Sequence, residues 1–298
     1  MSPDGTDASR SRLLLVGAAL LWSIGGVLAK CPWIVEIPVA SRSTVLACYR
    51  TLFAAAVLAP FVNWRRVRWH PGLIPAAISY AAMNVLYLAA VTRTTAAAAI
   101  FLQYTAVGWT VVFGRLFLRE RPQRADWFAL AFAVSGIVSI IVWETSAEYA
   151  LGNLIGVASG VAYAAVIVSL RGLRGEDPVW VLLLSNLATG VCLWPWVAGQ
   201  AVELRPVQWV VLGAFGIVQV AIPYLLFAIA MRHVPAHEGA LLTLVEAVLN
   251  PLWVWLFIGE RASAATWIGG GLILMGLVAQ QVLRQRQRSR TSLSFQRP

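Results

Sequence analysis

A carboxylate, a guanidinium and a set of hydroxyl and amide side chains stand in stretches that are otherwise apolar, and these are the residues that could do chemistry. Glu246 lies ten positions into an apolar run that begins at Ala236. An ionisable group near the middle of such a run costs about 2.5–3.5 kcal/mol on insertion scales, so one that stands there usually faces a cavity or a partner. Glu246 can carry a proton, hold a substrate amine, or make a structural bond to a neighbouring helix. Arg50 lies two turns into another apolar run. It could hold a carboxylate, but its long side chain can also snorkel to an interface, and a structural role is the expectation. Tyr80, Asn84 and Tyr87 recur at i, i+4 and i+7, which places two hydroxyls and an amide on one helix face. They can line a cavity or make hydrogen bonds between helices, which contribute only about 0.6 kcal/mol each in membranes.

Other chemistries find no support. His233 and His237 have the spacing of a helical metal pair, but Pro235 lies between them and no third Cys or His is near, so no metal site is expected. There is no HExxH, GxSxG or Walker sequence. No catalytic residue, metal or cofactor is expected, and Cys31, Cys48 and Cys192 show no motif spacing.

The elements that must position these residues are membrane spans. Hydrophobic residues make up 59% of the chain and charged residues 12%, against roughly 45–50% and 25% in soluble domains. Runs long enough to cross a ~30 Å hydrocarbon core follow one another. Ten spans are expected: Arg12 to Ala29, Thr44 to Val62, Gly72 to Thr92, Thr95 to Leu118, Arg124 to Trp143, Asn153 to Leu170, Val179 to Gln200, Val207 to Met231, Ala236 to Ile258 and Ala264 to Leu283. The flank Leu28-Ala29-Lys30-Cys31 has Lys where a cleavage site wants a small residue, so the first span reads as an uncleaved helix.

The net charge of +10 is an orientation signal. Arginines at 10, 12, 65, 66, 68, 115, 119, 121, 124, 171, 174 and 232, and in the tail from 284, fall on one side, and few basic residues fall on the other. The positive-inside rule then puts both termini in the cytoplasm, with no role for nucleic acid. Tryptophans at span ends, such as Trp33, Trp64, Trp69, Trp127, Trp143, Trp180, Trp209 and Trp267, suit the interfacial belt.

The chain repeats itself. At one fixed offset Glu120, Arg121, Trp127 and Gly136 recur as Glu260, Arg261, Trp267 and Gly276. At nearly the same offset Trp22 and Lys30 match Tyr163 and Arg171, and Arg93 matches Arg232. Two halves of five helices each must enter the membrane from opposite sides, because five is odd. The expected fold is therefore an all-α integral membrane protein, ten transmembrane helices in two inverted five-helix repeats around a central cavity. The boundaries are residues 1–11 as a cytoplasmic tail, 12–143 as the first repeat, 144–284 as the second and 285–298 as a basic tail. By the repeat, the wall facing Tyr80, Asn84 and Tyr87 would hold Gln219 and Tyr224 around Pro223, whose ring bends its helix. Gly152, Gly156 and Gly160, and Gly269 to Gly271, permit close helix approach, with packing expected over a dimer interface. The expected unit is a monomer among lipids.

The chain is similar to the drug/metabolite transporter superfamily, of the ten-helix type with two EamA-like halves. The turns Arg119-Glu120-Arg121-Pro122 and Gly259-Glu260-Arg261 carry the resemblance. With them go Gly17-Ala18-Ala19-Leu20-Leu21-Trp22-Ser23, Tyr49-Arg50 and Leu244-Val245-Glu246. Within the superfamily the run Gln103-Tyr104-Thr105-Ala106 resembles the aromatic and neutral amino-acid exporters of the YddG type. The resemblance implies that Gln103, Tyr104, Trp22, Ser23 and Tyr163 lie on helices around the cavity and are further substrate-binding candidates. It departs at Pro251, which comes later than the family's usual proline near Glu246. The expected function is export of small amphiphilic metabolites, amino acids foremost, by alternating access, with Pro60, Pro195, Pro223 and Pro251 as hinge or kink points. The rival readings are an exporter of cationic drugs held by Glu246 and ring faces, an intramembrane enzyme on lipid-linked substrates, and a passive channel.

Overall fold

A computed structural model describes residues 5–119, 122–143, 147–231, 234, 239 and 242–294. Glu120, Arg121, Arg232, His233, Pro235, His237 and Glu238 lie outside the described residues. With no water in a hydrocarbon layer, every backbone N–H and C=O must be paired within its own segment or in a closed barrel, and this apolar chain takes the helical solution. Among the described residues there is no strand. The helices are α1 (Ser9–Lys30), α2 (Val39–Phe61), α3 (Leu73–Val91), α4 (Ala96–Phe117), α5 (Arg124–Trp143), α6 (Glu148–Gly172), α7 (Pro178–Gly199), α8 (Pro206–Ala230), α9 (Val245–Ile258) and α10 (Ala264–Gln285).

Nine of these are long and apolar enough to span a membrane, and the shorter α9 stands apart. Its 14 residues reach only about 21 Å at 1.5 Å per residue. The span expected from Ala236 begins among residues that are not described, and a turn at Leu244 separates helical residues 242–243 from α9. Beyond α10 the backbone stays helical to Ser294.

Four helices are interrupted, each for a local reason. In α4 a turn at Thr105 separates Ala96–Tyr104 from Ala106–Phe117. The Thr105 hydroxyl donates back to the Leu102 carbonyl at 2.6 Å, a bond that bends helices. Leu244 is the repeat mate of Tyr104, so the breaks in α4 and before α9 fall within one residue of each other in the repeat. In α8 a π-helical stretch, Phe215–Ala221, precedes Pro223. Pro223 has no N–H for the Gln219 carbonyl to accept, so the ladder must change register there. In α1 a turn falls at Ile24. The Gln219 side chain donates to the Trp22 carbonyl at 3.3 Å, and such an insertion into the ladder kinks a helix. Pro195 and Pro251 lie inside helices without breaking them, and Pro60 sits in the 3-10 turn that ends α2.

The packing pairs are unchanged when the two halves are exchanged. Helix α1 packs on α8 and α9 as α6 packs on α3 and α4, while α2 packs on α7 and α5 on α10. The last two pairs join repeat mates, and both are antiparallel. Asp126 at the start of α5 meets Arg284 near the end of α10 at 2.6 Å, and Ser139 donates to the Ala265 carbonyl at the other end at 3.4 Å. Tyr49, midway along α2, meets Trp194 near the end of α7 edge-on, and Leu58 near the end of α2 clusters with Leu183 near the start of α7. Small residues set the closeness. A Cβ at Gly136 would lie 2.5 Å from Ile273 and 2.6 Å from the Gly269 carbonyl. The ladder Gly152, Gly156 and Gly160 packs against Arg93 and Thr94, Leu102 and Thr105 of the same chain. The outer surface is apolar, with Val134, Val138, Leu151, Leu154, Trp255 and Phe257 exposed, and lipid tails would cover it. Together these features make the chain a multi-pass membrane protein.

Candidate substrate cavity

The interrupted helices surround a cavity of about 1200 Å³. Its deep part is walled by Trp22 of α1, Arg50 of α2, Tyr80, Asn84 and Tyr87 of α3, and Gln103 and Tyr104 of α4. Tyr163 of α6, Gln219 and Tyr224 of α8, and Glu246 of α9 complete it. Ten of the eleven residues proposed from sequence thus stand on one wall or another of the same space. Ser23 departs from the expectation. Its hydroxyl is fully buried, donates to the Leu20 carbonyl at 2.7 Å and accepts from the Trp253 indole at 3.0 Å, so it ties α1 to α9 instead of facing the cavity. The i, i+1 neighbour of Trp22 necessarily points to another side of the helix.

Several groups on the wall are oriented by a neighbour. The Tyr104 hydroxyl donates to Glu246 Oε2 at 3.2 Å. The Tyr80 hydroxyl donates to Asn186 Oδ1 of α7 at 3.2 Å, and Asn186 is held in turn by the Leu182 carbonyl at 2.8 Å. The Asn84 amide donates to the Tyr80 carbonyl at 2.9 Å, which turns its Oδ1 toward Arg50. Trp22 meets Tyr224 edge-on at 5.1 Å and Phe227 at 5.7 Å. The result is ring faces alternating with fixed amide, hydroxyl and charged groups, which suits an amphiphilic solute.

Arg50 corrects the sequence reading. Instead of snorkelling to an interface it is 5% exposed, hydrogen-bonds Asn84 through its guanidinium and lies over the Phe215 ring at 4.8 Å. Sequence had marked it as a possible carboxylate ligand but could not show that Asn84 waits one helix away.

The two ends of the cavity differ. It extends to Pro122 and Gln123 before α5, to Arg171 and Arg174 at the end of α6, and to Gln280, Gln281 and Arg284 of α10. Asp126 anchors that mouth, accepting from Gln280 at 2.8 Å and from Arg284 at 2.9 and 2.6 Å. An acid in the first turn of a span and a base near the end of its antiparallel mate were the available signal, and it was missed. At the opposite end the chain is closed by a cluster. Gly259, at φ +79°, ends α9 in a left-handed turn, a conformation that glycine adopts without a Cβ penalty. The next residue, Glu260, pairs with Lys30 and accepts from the Ala96 N–H at 2.7 Å. Lys30 also donates to the Thr94 carbonyl at 2.7 Å, and Thr94 to Asn153 of α6 at 2.7 Å. A carboxylate at the first N–H groups of α4 is favoured by the helix dipole. Both Lys30 and Glu260 were picked out as repeat echoes; their mutual pairing was not. Among the described residues no group of His, Cys, Asp and Glu could hold a metal ion.

The model of the EamA-like transporter family matches residues 10–142 and again residues 150–279. The chain belongs to the EamA-like transporter family. That family lies within the drug/metabolite transporter superfamily and has a membrane-embedded, two-repeat fold. An uncharacterised transporter of Archaeoglobus fulgidus is 28% identical over 193 residues, 64% of this chain and 69% of that one. The pseudopaline exporter CntI of Pseudomonas aeruginosa is 28% identical over 218 residues, 70% of this chain and 74% of its own. A protein crystal structure superposes with a TM-score of 0.66 at 20% identity, covering 92% of this chain and 98% of that one, which shows the fold alone. The function class supported by the family and the relatives' names is a transporter with a small-molecule substrate.

Proposed function

We propose that this EamA-family chain exports small amphiphilic metabolites, amino acids including aromatic and neutral ones foremost, across a bacterial inner membrane. The observation that carries the proposal is the cavity itself. Tyrosine and tryptophan faces, three amides, Arg50 and Glu246 converge on one space that opens at one end and is shut at the other. Ring faces take an apolar side chain while the fixed polar groups take a charged or hydrogen-bonding end.

Alternating access by two inverted halves is the mechanism. It is supported by the antiparallel pairing of repeat mates α2 with α7 and α5 with α10, and by helix breaks at repeat-related positions. Related halves that exchange conformations would close the open mouth and part the Lys30–Glu260 end. The mouth bears Arg171, Arg174 and Arg284, and the positive-inside rule makes it cytoplasmic, with both termini on that side. The described state is then inward-open. The first and second halves are residues 12–143 and 144–284, and Trp22, Tyr80, Asn84, Tyr87, Gln103, Tyr104, Tyr163, Gln219, Tyr224 and Glu246 are the substrate-binding residues.

A second reading is favoured by Glu246, a carboxylate among ring faces, which would also hold a quaternary or protonated amine. Uptake of labelled phenylalanine into liposomes bearing the purified protein and preloaded with unlabelled phenylalanine separates the two. Trans-stimulated entry of chemically unchanged phenylalanine supports the amino-acid reading. Its absence, with entry of a quaternary ammonium probe, moves the assignment to cationic drugs, and a modified product would make the protein an enzyme.

A further inference from the structure

The surroundings of Arg50 are incomplete without a ligand. Arginine stays protonated inside proteins, and a buried charge without a counter-charge is unfavourable by several kcal/mol. Arg50 is 5% exposed, within a membrane span, and pairs with no carboxylate among the described residues. Its polar partner is the neutral Asn84 Oδ1, fixed in place because Asn84 donates to the Tyr80 carbonyl at 2.9 Å. Its Nε is buried with no hydrogen-bond partner, although Arg50 is on the cavity wall. The guanidinium carbon lies over the Phe215 ring, 4.8 Å from its centroid. Glu246, the acid on the deep wall, accepts from Tyr104 and makes no ion pair with Arg50.

We infer that Arg50 is the anchor for a carboxylate of the transported solute, with Asn84 and Phe215 as its positioning residues. This inference rests on the proposed reading of the cavity as the substrate site and deepens it. A planar guanidinium presents parallel N–H groups that match a carboxylate two-to-two, which a lone ammonium cannot do. The guanidinium N–H groups that Asn84 does not occupy would form that fork. Tyr80, Tyr87 and Tyr224 line the same cavity and would receive the rest of the solute against ring faces. The bound anion supplies the counter-charge, so entry of a solute without one would leave Arg50 uncompensated.

The test is calorimetric titration of the purified protein with four one-ring probes: phenylalanine, 3-phenylpropionate, 2-phenylethylamine and 2-phenylethanol. Phenylalanine and 3-phenylpropionate are expected to bind at least about tenfold tighter than 2-phenylethanol, the scale of one charge-assisted hydrogen bond. Arg50→Gln should erase that preference, and Arg50→Lys should restore part of it. Carboxylates that bind wild-type protein no better than 2-phenylethanol would overturn the inference, and this arm needs no variant to fold. A full carboxylate preference retained in Arg50→Gln would overturn it equally. Counterflow in liposomes keeps the two proposals apart. If 3-phenylpropionate binds through Arg50 but phenylalanine is not moved, the anchor stands and the amino-acid reading falls. If Arg50→Gln moves phenylalanine as fast as wild type, the amino-acid reading stands and the anchor falls.

Discussion

The Tyr104 hydroxyl donates to Glu246 Oε2 at 3.2 Å across the cavity wall, from just before the break in α4 to just after the repeat-related break before α9. This bond, one of several between the two halves, ends on a carboxylate and so bears on coupling. Tyr104→Phe is expected to lower counterflow roughly tenfold, since a hydrogen bond to a charged group contributes about 1.5–3 kcal/mol. Glu246→Gln keeps an acceptor for Tyr104 but cannot release a proton. Counterflow by this variant should lose any acceleration by an imposed pH gradient. Acceleration that survives in Glu246→Gln would assign proton coupling elsewhere.

The Lys30–Glu260 pair closes the end opposite the mouth, and Glu260 also caps α4 at Ala96. Glu260→Gln should loosen this closure. Cys31, adjacent to Lys30 and 8% exposed, reports on it. In a Cys192→Ser background, labelling of Cys31 by a membrane-impermeant maleimide from the side opposite the mouth should speed up several-fold. The exchange Lys30→Glu with Glu260→Lys should recover only part, because a lysine cannot accept from the Ala96 N–H. Unchanged labelling in Glu260→Gln would remove the pair from any gating role.

Asp126 is the acid at the mouth, 3% exposed, with three bonds from Gln280 and Arg284. Asp126→Asn leaves weaker neutral contacts, and Asp126→Ala leaves Gln280 without its partner. The partial exposure of Arg284 limits the loss to about 1–2 kcal/mol, less than for a fully buried pair. Thermal unfolding in detergent should show the order wild type, Asp126→Asn, Asp126→Ala, from most to least stable.

Glycines on α5 and α10 divide sharply by what a methyl would meet. At Gly136 the obstacle includes the Gly269 backbone carbonyl, at 2.6 Å, which cannot rotate away; at Gly271 nothing lies within 4 Å. Gly136→Ala should destabilise by about 1–3 kcal/mol through overpacking, whereas Gly271→Ala should be silent in yield and melting temperature. Equal behaviour of the two would mean that the α5–α10 contact is looser than described.

By itself the sequence determined the class and most of the frame. Apolar runs of fixed minimum length leave helices as the solution, and the recurrence of Glu120-Arg121 as Glu260-Arg261 marks the duplicated halves. The i, i+4, i+7 spacing of Tyr80, Asn84 and Tyr87 also placed three side chains on one face correctly, because helical period is a local property. Which neighbour a face meets is decided by packing between distant segments, and there the sequence was silent or misleading. Arg50 had a snorkelling route open to it until the fold put Asn84 and Phe215 beside it. Ser23 shares a motif with Trp22 but turns to Trp253, because consecutive helical residues point about 100° apart. Lys30 and Glu260 were visible as isolated charges; only the close approach of α1, α4 and the end of α9 made them a closure at one end while the other stayed open.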